Sequence, residues 1–261
     1  MTSSEVDRPT PPQQKPSLAQ VITRMQPEIA RALPKHLDAD RVARLALTAV
    51  RKNHKLAECT PESFAGALLT AAALGLEPEV NHECYLVPYR NKGTMECQLI
   101  VGYQGMAKLF YQSPLAANLD AQAVYEKDDF DYAYGLDPYL RHKPARGERG
   151  KVVDYYACAK LTTGASAFVV LSAEEVKELR KGKVGSSGDI PDPQHWMERK
   201  TVLRQLVKLL PKSPTLQLAE RADERSGREL YADRVADADV VADVSALPVT
   251  SDQPASDGAQ A

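Results

Sequence analysis

Of the 261 residues, 43% are hydrophobic, 26% charged and 6% aromatic, and 33 Lys+Arg against 35 Asp+Glu leave a net charge of −2. This is a globular composition with enough apolar residues for a core, and no run nears the roughly 20 apolar residues of a membrane-spanning helix. The charge is uneven, with −3 over residues 1–140, +7 over 141–212 and −6 over 213–261, as expected of a surface that meets a polyanion beside a solvated tail.

Residues 1–16 are polar and proline-rich, lack the apolar segment of a secretory leader, and read as a disordered arm. Leu18, Ile22, Met25, Ile29 and Leu33 then recur at helical spacing, in a helix that begins after Ser17 and is strained or broken near Pro27. Asp38 or Asp40 caps a second helix with Val42, Leu45, Ala46, Ala49 and Val50 on one face. Thr60-Pro61-Glu62 opens a third with a capping hydroxyl, a first-turn proline and an acid at the positive end of the dipole; it stops at Gly75.

The pattern next turns to strands, over 84–89 and 95–101 around a hairpin loop at 90–94. Gly102 to Gly105 leads into a short helix over 106–111. Strands are predicted over 121–125 and 130–134 across an acidic turn, and over 152–161 and 166–171 across 162–165. Ser172 and Glu175 form a capping box for a helix that ends at Arg180, and 181–194 is a loop by composition. A last helix runs from about 195 to 210 and stops at Pro211, and beyond 234 the chain reads as disordered. The predicted fold class is α+β: helices, a small antiparallel sheet with hairpins, then helices. The predicted organisation is a disordered arm over 1–16, one core over 17–212, and an acidic, largely disordered tail over 213–261.

The four cysteines (Cys59, Cys84, Cys97, Cys158) form no CxxC pair and are expected to be reduced thiols, which points to the cytoplasm. No P-loop, GxGxxG, HExxH, GxSxG or EF-hand pattern occurs, so no cofactor is predicted. Asp128, Asp129 and Asp131, with His142 nearby, could hold Mg²⁺ as a nuclease does, but they also suit an exposed turn. His82-Glu83-Cys84 has metal-capable atoms, yet three adjacent residues in a strand-like context cannot all face one ion.

What remains is cationic and aromatic. On the last helix Leu203, Leu206, Val207 and Leu210 share a face, and Lys200, Arg204 and Lys208 form a cationic stripe beside it. Arg199 lies in phase with the apolar residues, so it must snorkel out or aim its guanidinium at an anion. A solvated basic face normally interleaves acids, and none occurs between 199 and 212. Ten of the eleven tyrosines lie between Tyr85 and Tyr156, and Phe130, Tyr132 and Tyr134 alternate onto one face, where rings could stack on unpaired bases. Tyr103, between Gly102 and Gly105, is the preferred stacking residue, because the glycines admit a backbone close by. Arg141-His142-Lys143-Pro144 adds a second basic cluster, and Lys108 and Lys160 complete the predicted DNA-binding set.

In chain order, Leu74-Gly75-Leu76-Glu77-Pro78, Tyr85-Leu86-Val87-Pro88-Tyr89, Gly102-Tyr103-Gln104-Gly105-Met106, Gly135-Leu136-Asp137, Arg141-His142-Lys143-Pro144, 156–161 and Arg199-Lys200-Thr201 through Leu210-Pro211 resemble the signature of the RecT family of phage and prophage recombinases. The resemblance covers roughly residues 20–212. It implies ATP-independent annealing of complementary single strands by a non-enzyme in the bacterial cytoplasm, acting as rings or filaments on DNA beside a partner 5′→3′ exonuclease. It also implies a long basic helix lining a DNA groove, a tail for partner contacts, and DNA-binding roles for Tyr103, Arg141, Lys143, Arg199, Lys200, Arg204 and Lys208. Two departures stand out: Gln104 and Gln205 occupy positions where the family commonly carries a cation. A metal-dependent nuclease and a non-annealing adaptor are the alternatives.

Overall fold

The structure, a computed structural model, describes residues 17–35, 37–182, 188, 190–211, 213–223, 225 and 229–230. The predicted arm, the predicted disorder beyond 234 and part of the 181–194 loop lie outside them. The N-terminal helices start where their caps dictate. Ser17 makes a reciprocal capping box with Gln20 to open α1 (Leu18–Arg24), and Pro27 sits in the first turn of α2 (Gln26–Ala32), which is why one predicted helix is two. Asp38 caps α3 (Ala39–Lys52), and a 3₁₀ turn, His54–Glu58, follows. Thr60 caps α4 (Pro61–Leu74), and Gly75 ends it with φ 67°.

Helix α4 is apolar all round and buried along almost its whole length, because α1, α2 and the next two strands pack about it. Its polar side chains are satisfied locally. Thr70 donates to the Gly66 carbonyl at 2.7 Å, and the Ser63 hydroxyl accepts from the Cys97 amide at 2.9 Å. That amide belongs to the hairpin of β1 (Cys84–Asn91) and β2 (Thr94–Val101), which turns at Lys92 (φ 45°) and Gly93 (φ 90°). Helix α5 (Tyr103–Tyr111) begins immediately after β2.

A three-stranded antiparallel sheet forms the second half, with order β3 (Ala116–Tyr125), β6 (Val152–Leu161), β7 (Ser166–Ser172). Between β3 and β6 the chain makes a separate hairpin of β4 (Asp129–Ala133) and β5 (Tyr139–Lys143). Helix α6 (Ala173–Arg180) leads to α7 (Trp196–Val207), and α8 (Pro214–Ala222) packs back on α4 and α5. Among the described residues, no helix is long and apolar enough to cross a membrane.

The fold is α+β with antiparallel sheets and hairpins, as predicted, but several details differ. The predicted strands at 121–125 and 130–134 do not pair: β3 pairs with β6, and β4 with a β5 that was not foreseen. The last helix is shorter than predicted, because the Lys208, Leu209 and Leu210 amides bond three residues back. Ordered structure also passes 212, since Leu216, Ala219, Ala222 and Leu230 are buried.

The sheet has two faces. Tyr155, Ala157 and Ala159 of β6 share a core with Val202, Leu203, Leu206 and Val207 of α7, while Tyr156, Cys158 and Lys160 alternate to the opposite face. The β4–β5 hairpin lies over that opposite face. Phe130 stacks on Tyr156 with centroids 5.7 Å apart, Tyr134 stacks on Phe168 at 5.0 Å, and the Tyr134 hydroxyl accepts the Val170 amide at 2.9 Å. Asp128 anchors the hairpin's base. Its wholly buried carboxylate accepts from the Tyr125 and Ala145 amides, both at 2.9 Å, from Arg149, and from His142 Nε2 if that nitrogen carries the proton.

Candidate nucleic-acid interface

Helix α7 starts because the Asp192 carboxylate takes the Trp196 amide at 3.0 Å and the Met197 amide at 2.7 Å. That start sets Trp196 and Arg199 one turn apart over the outer edge of β3, which pairs with no second strand among the described residues and whose Leu119 and Tyr125 amides are taken by the Tyr111 hydroxyl and Asp128. Arg199 donates through Nε to the Ala121 carbonyl, and its guanidinium lies 4.4 Å from the Trp196 ring centroid and 5.4 Å from that of Tyr103. The two rings are 5.1 Å apart. All three residues are half-buried, and burial outweighs the neighbouring guanidinium to push the Tyr103 phenol up. Among the described residues no carboxylate comes within 4.0 Å of Arg199. A cation stacked on two rings beside an unpaired strand edge can hold a phosphate while an aromatic face meets a base.

Tyr103 reaches this position through its flanking glycines, for a reason other than the one foreseen. A Cβ on Gly102 would sit 2.0 Å from the His82 carbonyl oxygen, and one on Gly105 would sit 2.1 Å from that of Glu83. The backbone that approaches is the chain's own, in a turn where Glu79, Asn81 and His82 all have positive φ.

The remaining predicted site residues scatter. Lys200 Nζ and Arg204 Nη1 reach the Asp223 carboxylate at 3.0 and 3.2 Å, and that carboxylate also accepts the Val101 amide at 3.0 Å. The absence of acids between 199 and 212 predicts an open cationic stripe; the counter-charge arrives instead from the end of α8. Lys108 Nζ is 2.8 Å from the nearly buried Glu83, in a trough with Asn81, His82, Gln104 and Tyr111, away from Tyr103. Arg141 and Lys143 are exposed on β5, but Asp131 and Asp129 stand opposite them in register, and the Arg141 guanidinium lies 5.8 Å from the Tyr139 ring. Lys160 is exposed on β6, and Lys208 is exposed just past α7. Of the nine, the structure therefore brings Tyr103 and Arg199 into one cluster, to which it adds Trp196, and gathers Lys200 and Arg204 on Asp223. The signal for Trp196 was its place three residues before Arg199, on the same helical face.

The aromatic triplet Phe130, Tyr132 and Tyr134 does share a face, as predicted, but that face turns toward Tyr156 and Phe168. Asp128 is no exposed turn residue. The Arg149 guanidinium first, then the Ala145 and Tyr125 amides and His142, hold it well below the usual carboxylate range despite its burial, and no oxygen is left open to a cation. Among the described residues no three His, Cys, Asp or Glu side chains are grouped to hold a metal ion.

The family model described as "RecT family" matches residues 40–236. Protein RecT of Escherichia coli (strain K12) is 39% identical over 210 residues, which span 77% of this chain and 77% of that protein. The chain belongs to the RecT family. The RecT match begins in α3 and runs past α8, so it takes in both the Arg199 cluster and the Asp223 clamp.

Proposed function

We propose that this RecT-family chain binds single-stranded DNA and anneals complementary strands in recombination, without nucleotide hydrolysis, as an oligomer assembled along the DNA. Membership of the family supports the general activity, and the Arg199 cluster supports the site. A first strand lies beside the outer edge of β3, with a phosphate on Arg199 and a base against Trp196 or Tyr103, while its pairing edges stay free. Correct pairing then supplies about 1.4 kcal/mol per stacked step, so the protein need only offset phosphate repulsion and hold the product. Lys160 and, on the overlying hairpin, Arg141 and Lys143 are exposed and available as further, separate backbone contacts. The acidic segment beyond residue 230 serves partner contacts, with a 5′→3′ exonuclease as the partner, in the cytoplasm of a bacterial host.

The test is the pairing of two complementary dye-labelled oligonucleotides by the purified chain in EDTA and without nucleotide. Acceleration well above the spontaneous rate without cleavage is expected. Tight binding without acceleration would reduce the chain to a single-strand binder.

A further inference from the structure

We propose that the exposed face of α3, with the tip of the β1–β2 hairpin, is a second DNA-backbone contact, separate from the Arg199 cluster; it rests on the DNA-binding reading above. Helix α3 buries Val42, Ala43, Ala46 and Ala49. Its other side carries Arg41, Arg44, Thr48, Arg51 and Lys52, and Lys55 follows in the 3₁₀ turn, all exposed. Arg41 is held by Glu77, and Arg44 lies 3.8 Å from Asp38. Arg51, Lys52 and Lys55 have no carboxylate within 4.0 Å among the described residues.

The hairpin brings further cations to the same end of the molecule. The 3₁₀ turn packs on both hairpin strands, and the Thr60 amide donates to the Met95 carbonyl at 3.0 Å, with Met95 opposite Arg90 in register. Arg90 and Lys92 are exposed and likewise have no carboxylate within 4.0 Å among the described residues. The acids nearby in the chain are Glu58, exposed, Glu62, half-buried, and Glu96, buried on β2 and bound by the Asn91 side-chain amide.

Helix-dipole stabilisation explains cations at the end of α3. It does not explain Lys92, which takes a left-handed turn position (φ 45°) where Asn or Gly fits with less strain. Five like charges share this end of the molecule with no carboxylate within 4.0 Å among the described residues, one at a conformational cost, and a phosphodiester backbone is the ligand that suits them. Ten residues, 93–102, separate Lys92 from Tyr103, and the eight of them in β2 alone are about 27 Å of extended chain. At the duplex rise of about 3.4 Å per nucleotide, a strand needs about eight nucleotides to run the length of β2.

That backbone is either the far end of the strand held at Arg199 or the incoming second strand, and one comparison separates the two. Arg51→Ala/Lys52→Ala/Lys55→Ala and, in a second protein, Lys92→Asn are compared with the wild-type chain at matched thermal stability. Each binds a dT6 and a dT30 across a salt series, then captures a complement onto preloaded mixed-sequence 30-mer. If the first strand continues onto the patch, the triple variant loses about two units of log–log salt slope on dT30 and none on dT6. If the patch takes the second strand, both slopes hold and capture slows about tenfold. The inference is overturned if slope and capture are both unchanged, or if dT6 and dT30 weaken equally. Wild-type annealing is scored in the same series. A wild type that does not anneal, with the slope difference intact, sinks the annealing reading and leaves the patch standing.

Discussion

Asp128→Asn isolates one side chain that two readings treat in opposite ways. If Asp128 is a metal ligand of a nuclease, the substitution removes activity and leaves the fold alone. In the structure the wholly buried carboxylate meets the Arg149 guanidinium, the Tyr125 and Ala145 amides and His142. An amide there turns an NH₂ group toward donors and leaves Arg149 without its counter-charge. Breaking such a pair costs about 3–5 kcal/mol, which lowers Tm by on the order of 10 °C. The pH dependence has a definite sign. Because the folded carboxyl titrates far below its unfolded value near 4, its stabilisation is complete above that value and is lost as pH falls through the folded one. Urea unfolding at pH 7 and at stepped pH below 4 is the assay, and the gap between wild type and variant should narrow only on the acid side. Equal midpoints at pH 7 would refute the anchoring role, and cleavage by the wild type that the variant lacks would restore the nuclease.

Other substitutions test the remaining links. Arg199→Ala should weaken binding of single-stranded oligonucleotides of different sequence by similar factors and lower the salt slope by about 0.7; because Trp196 is the sole tryptophan, wild-type binding should also change its fluorescence. Gly102→Ala and Gly105→Ala, whose Cβ atoms would meet carbonyl oxygens at 2.0 and 2.1 Å, should each cost more than about 3 kcal/mol, read as lost soluble protein or a large fall in Tm. Tyr134→Phe removes the hydroxyl that takes the Val170 amide and should cost about 1 kcal/mol in urea unfolding.

Much of the fold was legible because its signals are local. Ser17, Asp38, Thr60, Gly75 and Ser172 each cap the helix their residue type announces. Strand pairing was less legible, since β3 bonds to β6 across an inserted hairpin, and β5 hides in a stretch read for its charges. Helix α8 was missed because an acidic net charge over 213–261 masked the apolar spacing of Leu216, Ala219 and Ala222. Coarse counting hid the α3 patch in the same way: 1–140 sums to −3 although Arg41, Arg44, Arg51, Lys52 and Lys55 share fifteen residues.

A cation's sequence neighbours do not tell whether it is free, because its partner can come from a distant element. Lys200 and Arg204 lie in an acid-free run, yet Asp223 meets both. Arg51 and Lys52 lie among ordinary helix residues, yet face solvent with no carboxylate within 4.0 Å among the described residues. Lys200→Ala with Arg204→Ala therefore strands a carboxylate that is 6% exposed and should destabilise the packing of α8, so lost DNA binding in that variant would not by itself report a phosphate contact. The salt slope discriminates. A residue that binds phosphate changes the slope at constant Tm, whereas one that holds the fold changes Tm and, in the fraction still folded, leaves the slope as it was. Lys200 and Arg204 are expected in the second class, whereas Arg199, which also holds the Ala121 carbonyl, is expected to lower the slope together with a smaller fall in Tm. Equal Tm and a slope lower by about 1.4 for the double variant would reverse that assignment and mean that DNA displaces Asp223 from the two cations.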